Sequence, residues 1–142
     1  MLSQKNIPAN ERLMFALDVP TAGEAKKLVE TLGDAVIFYK LGLELFMSGD
    51  YHDLLRWMAA QGKKVFADLK FFDVPNTVAS AVRQLDGSGA AFVTVHGNDE
   101  ILRAAVAARG STKILAVTVL TSLDRGDLDS LGFQVDAEKL VL

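Results

Sequence analysis

The chain has no cysteine in its 142 residues, which excludes disulfides, thiolate metal sites and a cysteine nucleophile and suits a reducing compartment. Proline occurs only three times, and no tract is of low complexity, so no linker divides the sequence. There is no run of lysine or arginine, and the net charge is −3, which argues against nucleic acid as the main partner. No apolar run is long enough to span a bilayer. The longest, Ala35 to Met47, is interrupted by Lys40 and Glu44. The stretch from Met1 to Asn10 is polar and has no apolar h-region, so no secretion signal is expected. These absences lead to the expectation of a soluble, cytoplasmic protein that binds neither nucleic acid nor membrane.

What is present is a chain half hydrophobic in composition, enough for one globular domain with a real core, expected over residues 1–142. Strand-like apolar runs alternate with amphipathic helical ones at a steady spacing. The strands expected are Leu13–Asp18, Ala35–Lys40, Lys64–Lys70, Ala91–His96 and Lys113–Leu120. The first helix is capped by Thr21, with Glu24 in capping-box position and Gly33 closing it. Further helices are expected near 51–61, 76–85 and 99–109, and a last one begins at Asp136 and runs to Leu142. Near-continuous hydrophobic strands separated by helices indicate a parallel sheet covered by helices. A doubly wound sheet would be favoured by a Gly-x-Gly-x-x-Gly turn after the first strand, and none is present. Each strand instead ends on polar residues: Asp18, Lys40, Asp68 with Lys70, His96, and Thr121-Ser122 just past the fifth. Polar side chains gathered from several strand ends are how a (β/α)8 barrel builds a site, so an α/β TIM barrel is expected, this chain covering about the first five βα units.

The third strand carries the strongest chemical signal, Asp68-x-Lys70-x-x-Asp73. Side chains alternate across a strand, so Asp68 and Lys70 emerge on one face, with Asp73 in the loop beyond. Two carboxylates around one ammonium at the exit of a buried strand carry a desolvation penalty that a folding role alone rarely needs. The plainer reading is a solvated strand end with an ordinary ion pair, worth roughly 0–1 kcal/mol. Phe66 and Phe71-Phe72 keep the surroundings apolar, which favours embedded charges. Pro75 stops the strand, and Asn76-Thr77 opens a helix. His96 suits either a site-lining or a structural role. His52 reads as solvated, Trp57 as part of an apolar helix face, and Asp99-Glu100 as a match to their helix dipole.

Leu17-Asp18-Val19, Tyr39-Lys40-Leu41-Gly42, Asp68 to Thr77, Val95-His96-Gly97 and Val117 to Ser122 occur in the order and spacing of orotidine 5′-phosphate decarboxylases, and the chain resembles that family from about Leu13 onward. The resemblance implies decarboxylation of orotidine 5′-phosphate to UMP and CO2, the last step of de novo pyrimidine synthesis, without metal or cofactor. It implies Lys70 as the proton donor to C6 of the pyrimidine and Asp68 beside the substrate carboxylate. Lys40 with Asp18 would hold the ribose hydroxyls and the charge network. Asp73 and Thr77 would reach into the neighbour's site across a homodimer interface. Val74 belongs to the same substrate-binding stretch, and Thr121 would contact the pyrimidine.

Relatives with Mg²⁺ chemistry, the 3-keto-gulonate 6-phosphate decarboxylases and hexulose-phosphate synthases, share the Asp-x-Lys-x-x-Asp arrangement. Their second strand resembles Glu-x-Gly-Thr-Pro, with a metal-holding glutamate where this chain has Lys40. An ammonium repels the cation instead of ligating it. The five strands expected here are fewer than the eight of a barrel of about 250 residues. The resemblance places the phosphate grip and mobile lid in the units that are missing. The chain is therefore expected to be an N-terminal portion with little activity of its own. A non-catalytic half-barrel that serves assembly or interaction is the alternative from another class.

Overall fold

The computed structural model describes residues 5–141. Residues 1–4 of the polar stretch and Leu142, the last residue expected in the final helix, lie outside them. Five strands form one sheet: β1 (Phe15–Ala16), β2 (Phe38–Leu41), β3 (Lys64–Phe71), β4 (Ala90–His96) and β5 (Lys113–Val117). All neighbouring pairs are parallel, and the order is β1-β2-β3-β4-β5. A doubly wound sheet reverses its order at a switch point, whereas a barrel adds each strand beside the last, so the sequential order is that of a barrel wall.

The helices follow from local signals. In α1 (Ala22–Leu32) the Thr21 hydroxyl accepts the Glu24 N–H at 3.1 Å, and Gly33 at φ +49° ends the helix. The helices α3 (Tyr51–Ala60), α4 (Pro75–Gln84) and α5 (Asp99–Ala108) follow β2, β3 and β4. Pro75 opens α4, where its missing N–H has no partner to lose, and the Asn98 side chain caps α5 by accepting the Ile101 N–H. Three short helices surround these: α2 (Leu43–Met47), α6 (Arg125–Ser130) and α7 (Ala137–Val141). Neither α2 nor α6 has an expected counterpart. Each is barely more than a turn long, too short for a helical period to show. Asp124 and Asp127 do form a reciprocal capping box on α6. The last helix runs to Val141 within the described residues.

Three expected strands are shorter than their apolar runs. β1 is an edge strand and pairs only with β2, so Leu13 and Met14 are exposed outside it. β2 begins late because Gly33–Ala35 closes a 3-10 turn first. β5 ends at Val117, three residues before Leu120.

Alternation along the strands separates two faces. Val65, Ala67, Leu69 and Val93 face the helices and are buried with Ala25, Val29, Leu54, Leu55 and Met58. Val78, Val82, Val95, Ile101 and Ala105 form a second cluster, where α4 and α5 lie on the sheet. The other face carries Phe38, Phe66 and Phe92. Phe92 stacks on Phe38 at 5.7 Å between centroids and meets Phe66 edge-on at 6.4 Å. Lys64 lies over Phe38 and Phe92 at 5.1 and 5.5 Å, its ammonium 2.5 Å from Glu11. Two residues beyond each of these phenylalanines stand Lys40, Asp68 and Thr94, so an aromatic layer underlies a polar one. No helix among the described residues is long and apolar enough to cross a membrane.

Leu54 is wholly buried and Leu43 is 56% exposed. Leu54→Ala is expected to lower stability by about 2–5 kcal/mol in urea denaturation, and Leu43→Ala by no more than about 0.5 kcal/mol. Equal losses would contradict this division between core and surface.

Candidate active site

The polar layer at the carboxyl ends of β1, β2 and β3 is one continuous charge network. The Lys40 ammonium lies 3.7 Å from Asp18 Oδ1 and 3.5 Å from Asp68 Oδ2. The Lys70 ammonium donates to Asp68 Oδ1 at 2.9 Å. Two cations and two carboxylates alternate, with Asp68 in the middle and its side chain only 13% exposed. Asp18, at the outer end, is largely in solvent.

The expected grouping of two carboxylates around Lys70 is not what forms. Asp73 is exposed, and its Oδ1 accepts the Val74 N–H at 2.6 Å. Among the described residues it makes no ion pair with Lys70. The backbone is the reason. The strand ends at Phe71, and Asp73 lies in the turn that leads into α4, where its carboxylate serves the adjacent N–H. The ammonium between two carboxylates is instead Lys40. Val74 is the residue before α4 and Thr77 is in its first turn, and both are exposed. Thr121 is exposed in the turn after β5. Of the expected site residues, Asp18, Lys40, Asp68 and Lys70 come together, while Asp73, Val74, Thr77 and Thr121 share no hydrogen bond or ion pair with them. His96 packs its ring against Phe72 at 5.1 Å. Its buried Nδ1 has no hydrogen-bond partner among the described residues.

Two features of the site lie outside what the sequence pattern conveys. Lys70 has φ +47°, the one non-glycine residue among those described in the left-handed region. Such a conformation is strained for a side chain with a Cβ, and strain of this kind gathers at functional sites. It arises in a break of register. Ala67 pairs with Val93 and Phe71 with Val95, so Asp68, Leu69 and Lys70 together face the single residue Thr94. The second feature is Thr94 itself, 6% exposed. Its hydroxyl donates to Asp68 Oδ1 at 2.9 Å and accepts the Lys70 N–H at 2.9 Å.

Burial pushes the Asp68 carboxyl upward. Hydrogen bonds from Lys70 and Thr94, with the charges of Lys70 and Lys40, outweigh burial and hold it below its ordinary 3.8. Its field also reaches Tyr51, buried beneath the site, whose hydroxyl donates to the Leu41 carbonyl at 3.2 Å. Burial first, and the Asp68 charge second, push that phenol well above its usual range.

Sequential parallel strands with their charges at the carboxyl ends define the class, an α/β-barrel protein with a site built on β1 to β3. A family model described as "Orotidine 5'-phosphate decarboxylase / HUMPS family" matches residues 11–141, and the chain belongs to that family. Orotidine 5'-phosphate decarboxylase of Methylococcus capsulatus is 63% identical over 141 residues, 99% of this chain and 58% of that protein. The enzyme of the same name from Xanthomonas campestris pv. campestris is 47% identical over 138 residues, covering 96% of this chain and 57% of the relative. The crystal structure of orotidine 5'-phosphate decarboxylase from Lactobacillus acidophilus superposes with a TM-score of 0.82 at 32% identity, over 91% of this chain and 62% of that one. The Methanocaldococcus jannaschii orotidine 5'-monophosphate decarboxylase complexed with inhibitor BMP gives 0.71 at 27% identity, over 84% and 56%. The chain thus spans somewhat over half the length of the curated relatives it matches, and its strands are the first five βα units of their barrel.

Two outcomes follow from this geometry. Asp68 has a lower carboxyl value folded than unfolded, so its contribution to stability is complete above the unfolded value. That contribution disappears as pH falls through the folded value. Urea denaturation at neutral pH and below pH 3.8 should show a steeper acid loss in the wild type than in Asp68→Asn, and parallel losses would contradict the assignment. Lys70→Gly relieves the left-handed strain and Lys70→Ala retains it, while both remove the ammonium. The glycine variant should be more stable by about 1 kcal/mol in the same assay.

Proposed function

We propose that residues 1–142 form a single, incomplete barrel domain carrying the proton-delivery machinery of an orotidine 5′-phosphate decarboxylase in pyrimidine synthesis. One observation carries this reading: the Lys70 ammonium is anchored at 2.9 Å on a carboxylate that also faces Lys40, at the mouth of the barrel wall. In the reaction the bond from C6 to the carboxyl carbon breaks and CO2 leaves. The electron pair stays on C6 in an orbital that the ring π-system cannot delocalise. A fixed ammonium beside C6 interacts more strongly with that developing charge than with the substrate carboxylate, and this difference lowers the barrier. Lys70 then gives its proton to C6, forming UMP, and regains one from solvent. The Asp68 carboxylate favours the charged form of the amine before the reaction.

The other roles follow the same reading. Asp68 stands beside the substrate carboxylate, and Lys40 and Asp18 bind the ribose hydroxyls. Asp73, Val74 and Thr77 are exposed at the entry to α4, a position suited to reaching a second copy's substrate in a homodimer. Thr121 contacts the pyrimidine, and the protein works in the cytoplasm. The Mg²⁺-dependent relatives are disfavoured because Lys40 Nζ lies 3.5 Å from Asp68 Oδ2, where a cation bound to that carboxylate would meet an ammonium.

The test is decarboxylation of orotidine 5′-phosphate followed by ultraviolet absorbance, with Lys70→Ala beside the wild type. Whatever turnover the wild-type chain shows is expected to fall on the order of a hundredfold or more in the variant. Turnover that survives Lys70→Ala would remove Lys70 from the chemistry. A UMP titration by NMR adds a readout free of catalysis: shifts are expected at Asp18, Lys40 and Lys70, and their absence at saturating nucleotide would sink the substrate assignment.

A further inference from the structure

We propose that Thr94 is a positioning residue for the reacting pair, its hydroxyl fixing both the Asp68 carboxylate and the backbone of Lys70. Three residues of β3 face this one residue of β4, so the ladder has no carbonyl in register for the Lys70 N–H. The hydroxyl oxygen of Thr94 takes that N–H at 2.9 Å. A hydroxyl has one proton to give, and an amide N–H can only donate, so the Thr94 proton is free for Asp68 Oδ1, also at 2.9 Å. An ionised carboxylate can only accept, and the direction of both bonds is thereby determined.

A closed ring results. The Lys70 backbone is tied to Asp68 through Thr94, and the Lys70 ammonium returns to the same Asp68 oxygen. Asp68 Oδ1 receives two donors and Oδ2 faces Lys40, which sets the plane of the carboxylate. The ring also holds Lys70 at φ +47°, and that backbone angle sets the direction in which its side chain leaves the strand. Thr94 is buried and within the polar layer, so water is poorly placed to substitute for it. The threonine methyl plays no part in the ring, which makes serine the conservative replacement. Valine keeps the shape and removes both bonds.

This inference rests on the reading of Lys70 and Asp68 as the reacting pair, and its test separates the two. The Asp68 carboxyl is titrated by carbon-13 NMR in the wild type, Thr94→Ser and Thr94→Val, with Lys40, Lys70 and Tyr51 as the groups that face it. The Asp68 midpoint is expected to rise toward the ordinary carboxylate value in Thr94→Val and to stay with the wild type in Thr94→Ser. Hydrogen exchange at the Lys70 amide of the wild type requires no variant to fold. Strong protection is expected, and exchange at the rate of an open amide overturns the proposal. Where the chain decarboxylates orotidine 5′-phosphate, kcat should fall about tenfold in Thr94→Val with KM changed less than about twofold, and Thr94→Ser should restore it. An unmoved Asp68 midpoint, or an unchanged kcat, in folded Thr94→Val overturns the role of Thr94. A midpoint that moves as expected in a chain inert toward the nucleotide upholds that role and counts against the proposed function instead.

Discussion

Asp68 cannot leave the site without depriving the Lys70 ammonium of its ion-pair partner among the described residues and leaving Lys40 with Asp18 alone. Its side chain lies mostly out of water and receives Lys70 on one oxygen and Lys40 opposite the other. An ion pair so placed gains little net stability, since desolvation offsets most of the attraction, yet removing one partner is strongly unfavourable. The consequence is geometric. Lys40 from β2 and Lys70 from β3 are each held to the same carboxylate, so the relative placement of two strand ends is written into the charge network. Asp18 extends the tie to the end of β1.

Beneath the charges, the phenylalanines of β2, β3 and β4 close the wall with apolar surface. Low polarizability below and water above make each charge interaction stronger than at an ordinary surface. The pleat supplies this layering, since a residue two places along a strand faces the same way one layer higher. The regular pleat then stops: three residues of β3 pass opposite Thr94, and Lys70 turns into the left-handed region. The regular part of the sheet provides the floor, and the irregular part aims the ammonium.

The parallel βα alternation was readable in the sequence because strand and helix periods differ and because capping residues such as Thr21, Gly33 and Pro75 mark the boundaries. The gathering of Asp18, Lys40, Asp68 and Lys70 was readable too, since each ends an apolar run. Strand lengths were less so. Whether Leu13 or Leu120 joins the ladder depends on a neighbouring strand in register, which hydrophobicity alone does not specify. The bulge left no local mark, because Lys70 is not one of the residues that usually signal a positive φ. Thr94 was hidden for a related reason. On a β strand, threonine is an ordinary residue, and only the register against β3 turns its hydroxyl into a partner for Asp68. Spacing within one segment did suggest Asp73 beside Lys70, but a chain leaving a strand for a helix turns too sharply for sequence distance to measure contact.

The balance of charge at the barrel mouth turns on Lys40. With it, two ammonium groups and two carboxylates alternate and the network is neutral. A carboxylate at that strand end would put three acidic groups near one lysine, and their repulsion would be relieved most simply by a hard divalent cation with oxygen ligands. In this chain Lys40 meets the requirement directly: it neutralises Asp18 and the far oxygen of Asp68, leaving Lys70 fixed on the near oxygen as the cation nearest the distorted end of β3. The balance of charge at this barrel mouth therefore rests on the sign of a single side chain, provided the network beneath it keeps Asp68 ionised.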